Sequence, residues 1–128
     1  MPQVPSVMSL HLRYRLLIAE LNYDINVLRI FDDYAQEIKT KRNEPEVKKD
    51  IALFEKEFTA LRNEIDELRH EMHLQKMKLA SLARAGKNMD SKTYKSDNHS
   101  SVWKRYTAYR KNFNSVRNEF GRFEGRWL

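Results

Sequence analysis

Few side chains in this sequence are placed to do chemistry, and the first to consider lie in the run Glu67-Leu68-Arg69-His70-Glu71-Met72-His73. Glu67 and His70 make a Glu-x-x-His element, which puts a carboxylate and an imidazole on one side of a helix, as in bundles that hold paired iron or manganese ions. Such a centre needs a second copy of the element and two further inward carboxylates. The other histidines, His11 and His99, have no glutamate three residues before them, so only two chains together could complete it. The heptad register derived below also turns Glu67, His70 and His73 away from the helix seam. No metal is expected.

Hydrolytic chemistry has less support. His99, Ser100 and Ser101 are neighbours in sequence, which does not make a triad, and no Gly-x-Ser-x-Gly elbow precedes a helix. Glycine occurs only at 86, 121 and 125, which excludes a glycine-rich phosphate loop or dinucleotide fingerprint. Asp32 and Asp33 are adjacent and would point in different directions from a helix. With no cysteine there is no disulfide framework, thiolate nucleophile or Cys-ligated metal. A chain without catalytic residues and without a cofactor is predicted.

Charge distribution suggests binding. The net charge is +6, yet residues 1–83 carry 13 Lys/Arg against 14 Asp/Glu, whereas residues 84–128 carry 11 against 4. Tyr94, Trp103, Tyr106, Tyr109, Phe113, Phe120, Phe123 and Trp127 fall in the same basic third. Cations interleaved with aromatics suit single-stranded nucleic acid or another polyanion, with Lys104, Arg105, Arg110, Lys111 and Arg117 as candidate ligands of phosphate. Against this, six of those aromatics recur at helical spacing and are expected to be core, and the cations spread over several faces. Some of them have acidic partners available in Glu20, Asp32 and Glu37.

The elements that position these groups are helices. Hydrophobic residues are 41% and charged residues 33% of 128, enough apolar content to fold and a balance that suits long helices. Apart from Pro2 and Pro5, the breakers are Pro45, Gly86, Gly121 and Gly125, and they leave three long stretches. Helices are predicted over about 7–43, 45–85 and 98–120, with a polar loop over 87–97. Ser6 is a candidate N-cap, and Pro45 suits a first turn.

Periodicity specifies how they pack. Val47, Ile51, Phe54, Phe58, Leu61, Ile65, Leu68, Met72, Gln75, Leu79 and Leu82 follow one another by steps of four and three. Val102, Tyr106, Tyr109, Phe113, Val116, Phe120, Phe123 and Trp127 do the same, as do Leu10, Tyr14, Leu17, Leu21, Asp24, Leu28, Phe31, Ala35 and Ile38, with one acidic interruption. An average repeat of 3.5 predicts left-handed, coiled-coil-like packing. The fold class predicted is all-α: three long helices in an antiparallel up-down-up bundle forming a single helical domain over 1–128. The alternative is a long helical hairpin that dimerises into a larger bundle.

Two features suggest self-association. Flanking the seam of the second helix, Glu57, Glu64 and Glu71 would face Arg62, Arg69 and Lys76 of a parallel second copy. On the first helix Ile18, Ile25, Val27 and Tyr34 widen the apolar face and form a candidate dimer or partner interface. After Phe120 the last helix is expected to fray at Gly121, freeing Phe123, Trp127 and Leu128 as an aromatic hook. Met1 to Met8 has no Lys or Arg, and the apolar residues beyond are broken by His11, Arg13, Arg15 and Glu20, so neither a signal peptide nor a membrane span is expected. The function predicted is a non-enzymatic helical interaction or structural protein of the cytoplasm, partnered by a second copy or another protein. A nucleic-acid or polyanion module is the alternative.

Overall fold

A computed structural model describes residues 4–128; Met1, Pro2 and Gln3, part of the predicted 1–128 domain, lie outside it. The described residues form four helices, α1 (Val7–Lys41), α2 (Pro45–Arg84), α3 (Ser91–Ser96) and α4 (His99–Trp127), and no strand. The protein is an all-α bundle. None of its helices is long and apolar enough to cross a membrane.

The starts and stops have local causes. Ser6 caps α1 by accepting from the Ser9 amide at 3.0 Å. α1 ends at Lys41, two residues before the predicted limit, because Arg42 is extended and Glu44, the residue before Pro45, is held in the β region. Pro45 opens α2, where its missing N–H costs nothing. Gly86, with φ of +68°, takes the left-handed conformation that stops α2.

Pairwise contacts set the directions. Asn22 meets Arg69 and Gln36 meets Glu55, so α2 runs opposite to α1. Tyr14 packs on Trp103, Phe31 on Phe120, and Arg42 bonds the Trp127 carbonyl, so α4 runs alongside α1 in the same direction. α3 packs on α4. The three heptad seams meet along the axis, with Tyr14, Leu21, Ile38, Ile51, Ile65, Leu68, Met72 and Phe113 almost wholly buried. Burying each such side chain stabilises the bundle by about 1.5–3 kcal/mol.

Three expectations are corrected. The polar 87–97 segment is not all loop: Asp90 accepts from the Thr93 amide at 2.7 Å and starts α3, whose Tyr94 ring lies 5.2 Å from that of His99. α4 does not fray at Gly121 but continues to Trp127. The Arg42 guanidinium lies 5.5 Å over the Trp127 ring and its Nε donates to the Trp127 carbonyl at 3.2 Å, while Phe123 is buried 5.2 Å from Phe54. These contacts outweigh two helical glycines at about 1 kcal/mol each. Third, the α2 seam is not free for a parallel second copy, since α1 and α4 of the same chain cover it. Glu64 bonds Arg105, and Arg62 and Arg69 bond Asp66, so three of those six charges are paired within the chain.

Candidate docking face

The basic residues of α4 divide into two groups. Arg105 donates from Nε to Glu64 at 2.8 Å and also bonds Glu67, while Arg110 reaches Asp24 at 2.8 Å and lies 3.8 Å from Glu20. Two of the five candidate polyanion ligands are therefore neutralised by carboxylates of α1 and α2. Lys104, Lys111 and Arg117 are exposed and make no ion pair among the described residues. The aromatics do not accompany them: Trp103 packs on Tyr14 at 4.7 Å and Tyr94 on His99, so neither ring of the two outside the seam is presented for stacking. Glu67 serves Arg105, leaving His70 and His73 exposed on their own. No three His, Asp or Glu side chains converge as a metal site among the described residues.

Two buried polar clusters went unread in the sequence. In the first, Asp24, only 3% exposed, accepts the Tyr109 hydroxyl at 2.7 Å and the Arg110 guanidinium at 2.8 Å. Arg110 in turn donates to the Tyr106 hydroxyl at 3.0 Å, and Tyr106 bonds Glu20. Burial pushes the Tyr109 hydroxyl upward, and its bond to Asp24 adds to the rise. Tyr106 is raised to about 12 by burial and by Glu20. For Arg110 burial pulls down, but the bonds to Asp24 and Tyr106 outweigh it and hold the cation more firmly. The acidic interruption of the first seam is thus a buried cross-link between α1 and α4. The signal for it was the basic and phenolic pair Tyr109-Arg110 at the same level of the bundle.

The second cluster holds the α2–α4 junction. The Tyr14 hydroxyl and His99 Nδ1 are 2.5 Å apart, and His99 Nε2 lies 3.9 Å from Asp97. With the ring proton on Nε2, facing that carboxylate, Nδ1 accepts from Tyr14. Burial holds the His99 imidazole below its ordinary range, against the opposing pull of Asp97. Gln75, the polar member of the α2 seam, donates to the Asp97 carbonyl at 2.9 Å. Both clusters join helices inside the bundle, and the first reaches an open groove through Glu20, Asp24 and Arg110.

What remains is a surface. Of the candidate interface residues, Ile18 and Val27 are buried in the core and Ile25 is partly buried, leaving Tyr34 exposed. Their width reflects α1 packing on two helices at once. A different set faces outward: Met8, Leu12, Leu16, Tyr23, Ile30 and Tyr34 are 45% to 63% exposed, six of the ten large exposed hydrophobics of the described chain. With Ala19 and Asn26 they follow one another by steps of four and three, on the side of α1 opposite its core seam. At one edge, Leu16, Ala19 and Tyr23 line an open groove of about 550 Å³ with Arg110 and Arg117 of α4. A solvated helix face is ordinarily charged, and this face of α1 is instead a contiguous apolar stripe.

Comparison with known proteins adds no relative: no family model, curated protein or solved structure matches this chain.

Proposed function

We propose that this chain is a non-enzymatic interaction protein of the cytoplasm, a helical bundle that docks on another helical surface through the outward face of α1. The supporting observation is the second apolar seam of α1, from Met8 to Tyr34, which no other element of the described residues covers. A polyanion-binding role has weaker support, because Arg105 and Arg110 are held by carboxylates and the aromatics near them are packed. A photo-crosslinking amino acid at Tyr23 tests the reading in the cell of origin, with the same group at Lys56, exposed on α2, as control. Discrete adducts are expected from position 23 alone, and Leu16→Glu should abolish them with helicity unchanged. Equal labelling from both positions would overturn the assignment.

A further inference from the structure

The outward seam of α1 has a symmetry that its inner seam lacks. Met8, Leu12, Leu16, Ala19, Tyr23, Asn26, Ile30 and Tyr34 are separated by steps of 4, 4, 3, 4, 3, 4 and 4, a series that reads the same in both directions. Every member at position i has a mate at 42 − i: Met8 with Tyr34, Leu12 with Ile30, Leu16 with Asn26, and Ala19 with Tyr23. Under a two-fold axis crossing α1 beside Leu21, each outward side chain of one copy therefore meets an outward side chain of the other. The smallest member, Ala19, falls opposite the bulky Tyr23, as close packing of two helices requires.

Resting on the reading of α1 as a docking face, we infer that its occupant is a second copy of this chain, bound with the two α1 helices head to tail. Charge along the helix selects that direction. Residues 8–16 carry Arg13 and Arg15 with no acid, whereas their mates, residues 26–34, carry Asp32 and Asp33 with Arg29. Head-to-tail pairing brings the arginine half toward Asp33 of the other half, Asp32 lying instead in the α1–α2 groove beside Phe58, and parallel pairing would set the arginines against each other. The area is adequate. Half-exposed side chains of this size leave about 100 Å² each, so six offer about 600 Å² of apolar surface. Ala19 and the rim arginine stems bring the face near the roughly 800 Å² per partner of a standard interface. Asn26, the polar member of the stripe, opposes Leu16 and penalises other registers.

Two like-charge contacts in this arrangement are unfavourable: on one flank of the stripe Arg15 lies beside Arg29 of the second copy, twice by symmetry, and on the other flank Glu20, one residue from the axis, lies beside Glu20 of the second copy. The arginine contact supplies the discriminating test. Sedimentation equilibrium of the whole chain at about 1–100 µM should show a species of twice 15.4 kDa. Leu16→Glu, at a site 58% exposed, should weaken it on the order of 100-fold while circular dichroism is unchanged. Arg29→Glu converts both arginine contacts into attractive ones and should tighten the dimer about fivefold. A wild-type monomer throughout that range overturns the inference, as does a dimer indifferent to Leu16→Glu. Failure of Arg29→Glu to tighten the dimer overturns the head-to-tail register. The docking reading fails separately: a wild-type monomer that still gives a crosslink from position 23 to a different protein removes only the second copy.

Discussion

Replacing Asp24 by alanine should cost the bundle about 3 kcal/mol, a figure that follows from what the carboxylate holds. It is 3% exposed and accepts Tyr109 at 2.7 Å and Arg110 at 2.8 Å. Without it the buried Tyr109 hydroxyl has no acceptor, a penalty of about 2 kcal/mol. Arg110 fares better. Its side chain is 27% exposed and Glu20 lies 3.8 Å away, so its loss is nearer 1 kcal/mol than the roughly 3–5 kcal/mol of breaking a fully buried pair. Tyr109→Phe alone removes one hydrogen bond and should cost about 1 kcal/mol. In the double variant no hydroxyl is orphaned, so the combined cost should fall short of the sum by about 1–2 kcal/mol. Urea unfolding followed by far-UV circular dichroism gives all three differences if the slopes agree. Additive costs, or an Asp24→Ala penalty under about 1 kcal/mol, would mean that Asp24 is not the cross-link described.

Four further outcomes follow from the same contacts. Phe58 lies among Phe31, Phe54 and Phe120, so Phe58→Ala should cost about 3–5 kcal/mol in urea melts, against under about 1 kcal/mol for the exposed Leu53→Ala. Gly121→Ala and Gly125→Ala should each stabilise by about 0.5–1 kcal/mol, because both are helical and a new Cβ meets nothing within 4 Å. Gly86→Ala should destabilise by about 1–2 kcal/mol although its surroundings are equally open, since φ of +68° strains any residue with a Cβ. His99 is held below the ordinary 6.5 by burial, so unfolded chains take up a proton before native ones do. Its contribution to stability is complete above that value and is lost as pH falls from there through the folded-state pKa; thermal melts should show this slope, reduced in His99→Gln.

How much of this the sequence carried depends on whether the cause was local. Ser6, Pro45 and Gly86 act on their own neighbours, and α2 was legible nearly to the residue. The steps of four and three identified the inner seams because core burial leaves the same mark at every turn. α3 escapes a periodicity reading because six residues are too few for a periodic signal, although its causes, the Asp90 cap and the packing of Tyr94 on His99 five residues on, are local. The end of α4 has a distant cause: Arg42 and Trp127 are 85 residues apart, and glycine propensity is a weak local term against that contact. Asp24 looked like a defect until Tyr109, also 85 residues distant, came beside it. Ile18 and Val27 belong to a widened apolar arc, which looks alike in sequence whether a second helix of the same chain or another molecule covers it.

That ambiguity separates the two faces of α1. Inward and outward seams obey the same spacing rule, and only the positions of α2 and α4 decide which is satisfied within the chain. The outward face of α4 carries Lys104, Ala108, Lys111, Ser115, Asn118 and Arg122, small, polar or charged at every step. Over the corresponding stretch α1 presents Leu12, Leu16, Ala19, Tyr23, Asn26 and Ile30. Neither face helps the single chain to fold, since both lie outside the core. The proposed pairing accounts for that difference in composition, since the mirror-symmetric spacing of the α1 set is the pattern a surface needs if it is to meet itself.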